Sequence, residues 1–163
     1  MTTIATRPKT TGERPAIVGL LWMDGSPHRW VVNVATWLAA ALMVASGVIH
    51  LHLWDIAYRH VPTIGPMFIA QGVAAIVFAV AASVVRRVWT GLIGAGTMIA
   101  TLAGFLISVN YGLFGFQDSW TGAYATKTFV IEIASAVLFL TAVAFSITDR
   151  AARTAPAGGP ARP

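Results

Sequence analysis

The chain has no cysteine and few charges. Without cysteine, disulfides, thiolate metal sites, cysteine-ligated iron–sulfur clusters and palmitoylation are excluded within its 163 residues. Charged residues make up 10% of the sequence, against about 25% in an ordinary soluble domain. So few charges do not cover a water-exposed surface of this size, and 56% of the residues are apolar. Lipid must cover much of the outside. Enzyme signatures are missing as well: there is no G-x-S-x-G, no H-E-x-x-H and no P-loop. Gly91-Leu-Ile-Gly94-Ala-Gly96 lies inside an apolar run and reads as packing, not as a phosphate loop. The formal charge of +5 forms no basic stripe along a soluble fold, so nucleic acid is not an expected partner.

What is present is long apolar runs. The first span runs from about Val31 to Trp54, with an uncharged core TWLAAALMVASGVI. The second starts near Pro66, since proline is tolerated in the first turn of a helix, and ends near Val85. Arg86-Arg87 interrupts the apolar run, and a third span follows over about Val88 to Asn110. One helix from Met67 to Leu113 would be about 70 Å long against a hydrocarbon core of about 30 Å. A turn between Ser83 and Thr90 is therefore expected, with spans two and three as antiparallel neighbours. The fourth span covers about Thr128 to Ile147. The expected fold class is all-α, a four-helix transmembrane bundle with up-down connectivity and disordered termini. Residues 1–29 read as a basic tail in which Ala16 to Met23 is too short to span and lies on the membrane surface, with Trp22 at headgroup depth. Residues 30–148 read as the four-helix transmembrane domain and 149–163 as a disordered tail.

Orientation follows from the distribution of Lys and Arg. Arg7, Lys9, Arg14 and Arg29, then Arg86 and Arg87, then Arg150, Arg153 and Arg162 fall on one side, nine in all. Only two, Arg59 and Lys127, fall on the other. Both termini and the second loop are thus expected in the cytoplasm. The tryptophans form two expected belts, Trp30 and Trp89 inside, Trp54 and Trp120 outside.

Lipid tails are as apolar as leucine, so helices in a bilayer associate through close backbone approach. Gly96, Ala100, Gly104, Ser108 and Gly112 recur every four residues, a stripe expected to pack within the bundle, with a homodimer face as the alternative. Span one has a comparable small set in Ala41, Ala45 and Ser46-Gly47.

Ionisable or polar groups within spans are costly and raise a functional hypothesis by default. His50, His52, Gln71, Asn110 and Glu132 all fall in the outer half, with Asp55, Arg59, His60, Asp118 and Lys127 just above. The inner half holds almost nothing ionisable between the helix ends. His50 and His52 are about 200° apart on a helix and do not chelate one metal together, whereas His52, Asp55 and Arg59 share a face. Three readings are open for His50 and Glu132: a hydrogen-bonded cluster that fixes helix register, a ligand or proton site including His52, Asp55, Gln71 and Asn110, or a metal or haem site. Bis-histidine haem ligation needs imidazoles from facing helices, and the intramembrane histidines are all on span one. A zinc site from His52, Asp55 and His60 matches no compact motif. No cofactor or metal is expected; haem or a quinone is the remaining alternative.

Ser46-Gly-Val-Ile-His50-Leu51, followed by Pro62-Thr-Ile-Gly65-Pro-Met-Phe68 and Gln71-Gly72, resembles uncharacterised four-span integral membrane proteins of actinobacteria. The likeness covers about residues 40 to 80, and Tyr111-Gly-Leu-Phe-Gly115-Phe extends the pattern. The resemblance implies a bacterial plasma membrane and the same topology; it implies no activity. The expectation is a non-enzymatic accessory or structural subunit, in contact with the bilayer and with a homodimer mate or larger membrane complex. The alternative is a small-molecule or proton-handling protein.

Overall fold

The computed structural model describes residues 28–154. The expected basic tail, its surface segment and the last residues of the carboxyl tail lie outside this range. Four helices follow one another: α1 (Arg29–Leu53), α2 (Ile64–Val85), α3 (Val88–Tyr111) and α4 (Ala125–Thr154). Each contains a stretch long and apolar enough to cross a membrane. Among the described residues there is no strand, and the architecture is an all-α four-helix bundle with up-down connectivity.

Helices α4 and α1 depart furthest from the expected boundaries. Helix α4 begins three residues earlier than Thr128 and runs past Ile147 to Thr154. Nothing in Thr148–Thr154 breaks a helix, and the element ends just ahead of Pro156, whose ring disfavours helical geometry in the residue before it. Helix α1 does not stop at Trp54 either. It passes into one wide π-turn, Trp54–Tyr58. A π-turn inserts one residue into the 3.6-residue repeat. Continued α periodicity from Leu53 would bring Ala57 inward; instead Ala57 is exposed and Tyr58 is half-buried.

The expected break after Val85 is present. Arg86 takes a left-handed conformation at φ 49°, and Arg87 is extended before α3 restarts. Left-handed geometry is uncommon for a residue with a side chain. Here Arg86 reaches across to α1, where an Nη2–H donates to Asn33 Oδ1 at 2.8 Å.

The helices form a ring in which α1 packs closely on α2 and α4, and α4 packs closely on α3. The α2–α3 seam is the loosest of the four. The core is made of small residues and a few large ones: Ala39, Ala40 and Met43 of α1, Ala75, Ala79 and Ala82 of α2, Ala95 and Met98 of α3, Ala136 and Phe139 of α4. Small side chains let backbones approach, which is how membrane helices associate. Gly47 and Gly72 meet in this way: a Cβ on Gly47 would lie 2.8 Å from the Gly72 carbonyl oxygen.

The stripe of small residues on α3 does not pack as expected. Gly96 and Ala100 are exposed, and a Cβ on Gly96 or Gly104 would meet nothing within 4 Å. The packed face of α3 is instead Thr90, Gly91, Gly94, Ala95 and Met98, and of the stripe Ser108 is buried. The reason is tertiary: Phe139 of α4 lies against Gly94, which stands about 200° around the helix from Gly96. Of the small set on α1, Ser46 and Gly47 are buried, Ala45 is half-buried and Ala41 is exposed.

Candidate functional site

The buried face of α1 repeats as Val32, Ala35/Thr36, Ala39/Ala40, Met43, Ser46/Gly47, His50 and Leu53. This spacing of three and four is the inward stripe of a bundle helix. His50 falls on it, seven residues after Met43, and is 7% exposed. His52 falls off it and is exposed, edge-on to the Tyr124 ring at 5.8 Å. The two histidines therefore separate, one into the bundle and one onto its surface.

Glu132 of α4 is 2% exposed and faces His50. Ser46 Oγ donates to Glu132 Oε1 at 2.8 Å. His50 Nδ1 lies 2.9 Å from the Ser46 carbonyl oxygen, which only accepts, so this nitrogen carries the hydrogen. That leaves Nε2 turned toward Glu132 Oε1 at 4.0 Å. Burying a charge is costly unless it is paired and hydrogen-bonded. Here a carboxyl, a hydroxyl and an imidazole from two helices meet in the buried interior. The imidazole nitrogen and the carboxyl oxygen that face each other both accept a proton. One further stitch joins the same helices, from Ser135 Oγ to the Ala39 carbonyl at 2.9 Å.

Above this cluster, toward the loops that join α1 to α2 and α3 to α4, sits an aromatic cap. The Phe68 ring lies 5.2 Å from His50 and stacks on Tyr58 at 4.2 Å. Tyr58 in turn meets Phe116 edge-on at 5.5 Å. The Tyr58 hydroxyl donates to the Asp118 carboxylate at 3.4 Å, and the Asp118 N–H donates to Ser108 Oγ at 3.2 Å. The loop between α3 and α4 is thereby tied to both α1 and α3.

Beside the cluster is a cavity of about 440 Å³ between α2 and α3. Its wall includes His50, Phe68, Gln71, Gly104, Phe105 and Asp118. Gln71 Nε2 is fully buried and has no hydrogen-bond partner. A second void of about 50 Å³ lies between His50 and Glu132 on one side and Thr128 on the other. Thr128 Oγ1 is also buried without a partner.

The sequence-derived candidates thus divide. His50, Gln71 and Glu132 line the two cavities. His52, Asp55 and Asn110 do not join them. Asp55 is exposed and pairs with Arg59 one turn on, and Arg59 lies over the Trp54 ring at 5.4 Å. Asn110 is exposed and donates to the Leu106 carbonyl of its own helix at 2.7 Å. Among the described residues no three His, Asp or Glu side chains converge on a metal-sized site, so the His52, Asp55 and His60 set does not assemble. Tyr58 also belongs to the site, as do Ser46, Ser108 and Asp118, which the sequence marks only as packing residues or as polar groups above the spans. Ser46 was findable, because it stands four residues before His50 on the same inward stripe. Tyr58 was not, because its direction depends on the π-turn.

Comparison with protein-family models, with curated proteins and with solved structures finds no match to this chain.

Proposed function

We propose that the protein is a non-enzymatic, multi-pass protein of a bacterial plasma membrane that handles a small molecule or a proton at the Ser46–His50–Glu132 cluster. One observation carries this reading. His50 is both 4.0 Å from the buried Glu132 carboxyl and part of the wall of the α2–α3 cavity. A group that enters the cavity meets an imidazole already coupled to a buried carboxyl, and an imidazole and a carboxyl exchange protons readily. The Lys and Arg distribution supports a site in the outer half of the bilayer, with both termini cytoplasmic.

The test is infrared spectroscopy of the full chain in lipid as pH is varied. The Glu132 carboxyl band is identified by its loss in Glu132→Gln. If the site handles protons, the pH at which that band titrates moves when His50 is replaced by Asn. A band that titrates identically with and without His50 would refute the coupling.

A second reading has its own support. Ser46 to Glu132 and Ser135 to Ala39 both join α1 to α4, as a cluster that only fixes helix register would do. On that reading the protein is an accessory or structural subunit of a membrane complex, and Glu132→Gln leaves function unchanged while the fold persists.

A further inference from the structure

The α2–α3 cavity reaches the flank of the bundle, because several residues of its wall are exposed. Its rim carries Met67 and Ala70 of α2 and Ala100 of α3, all exposed on the flanks of helices apolar enough to lie in a bilayer. Ala74 and Gly104 line the gap without filling it, and a Cβ on Gly104 would still meet nothing within 4 Å. A molecule that enters by this route comes from the lipid phase and is itself lipid-soluble.

The wall then selects its chemistry. Gln71 offers a buried amide N–H with no partner in the protein, and an unpaired buried donor is costly. The matching ligand atom is an acceptor. Asp118 also lines the cavity, no described Lys or Arg does, and the one other titratable group in the wall is the His50 imidazole. A neutral acceptor, a carbonyl, needs no counter-charge here and so fits this wall better than a carboxylate. The rings of Phe68, Phe105 and Phe116 line the same space, and aromatic faces favour a flat ring between them. The volume of about 440 Å³ suits a ligand of a few fused or linked rings with part of a tail.

We infer that this lateral cleft binds a lipid-soluble 1,4-quinone, its ring among the phenylalanines and one carbonyl accepting from Gln71 Nε2. The inference rests on the reading of this end of the bundle as a ligand and proton site, and it names the ligand class. Neutral glycerides share the chemistry of a carbonyl on an apolar body, so the test separates the two sources.

The full chain in lipid nanodiscs is titrated with 2-methyl-1,4-naphthoquinone, and bound quinone is measured by equilibrium dialysis against empty nanodiscs. The chain has no thiol for the quinone to alkylate. Saturable binding is expected. Gln71→Leu, which removes the donor and keeps the bulk, weakens it about ten-fold, the effect of one buried hydrogen bond. Gly104→Leu fills the cleft and abolishes binding. Gly96→Leu, on the same helix but outside the cleft, binds as the unaltered protein does. Circular dichroism confirms that each variant remains helical. Three outcomes overturn the inference: no saturable binding, binding indifferent to Gly104→Leu, or dioctanoylglycerol binding through Gln71 while the quinone does not. The infrared titration of Glu132 uses no ligand, so failure here is separable from failure of the proton site.

Discussion

Gly94 and Gly96 stand two residues apart on α3, and replacing each by alanine separates two descriptions of how this helix packs. A Cβ on Gly94 would lie 2.8 to 3.0 Å from three atoms of the Phe139 ring. Phe139 is 0% exposed at the centre of the core, so the ring has nowhere to retreat without moving its neighbours. Overpacking of this kind costs about 1–3 kcal/mol. Alanine returns about 0.5–1 kcal/mol through helix propensity, which leaves Gly94→Ala destabilised by about 1–2 kcal/mol. At Gly96 a Cβ meets nothing within 4 Å, so only the propensity gain remains, up to about 1 kcal/mol of stabilisation. The two variants should differ by about 2 kcal/mol. Unfolding in mixed micelles as the fraction of denaturing detergent rises, followed by far-ultraviolet circular dichroism, measures that gap. Equal losses at both positions would refute the packing assignment. A loss at Gly96 that grows on dilution of the protein would show instead that its face is covered by a second copy.

Two further perturbations probe the interior. Phe139→Ala removes the largest fully buried side chain and should cost about 3 kcal/mol, the lower end of the range for such truncations, because lipid supplies no hydrophobic drive and only the lost packing counts. The same detergent titration checks it, and a loss under about 1 kcal/mol would mean that the core collapses around the gap. Ser46→Ala deprives the buried Glu132 carboxyl of its hydrogen-bond donor at 2.8 Å and should cost about 1–3 kcal/mol. Glu132→Leu made in addition should recover much of that loss, since no unsatisfied carboxyl then remains; an additive further loss would show that Glu132 does more than accept from Ser46.

Composition and hydropathy alone determined that this is a bundle of four apolar helices, because so few charges leave no other way to cover the surface. The break at Arg86-Arg87 was legible for the same reason: a paired arginine in mid-helix would sit deep in lipid. So was the concentration of polar groups toward one end. The inward direction of His50 was half legible, since α1 repeats its small and buried residues at spacings of three and four as far as Leu53. Which of those groups meet was not. Glu132 finds Ser46 across 86 residues of chain, and Asn110 instead turns back onto its own helix. Periodicity gives the angle of a residue on its helix but not the rotation of that helix against its neighbours. The stripe at Gly96 and Gly104 shows the consequence. Four-residue spacing marks a smooth face, and a smooth face packs only if a neighbour presses on it. Phe139 presses on Gly94 instead, and part of the unpressed stripe, Ala100 and Gly104, lines a cleft while Gly96 stays outside it. Tyr58 likewise reaches the aromatic cap only through a π-turn that local propensity does not announce, because the turn is held by Phe68, Phe116 and Asp118 from other parts of the chain.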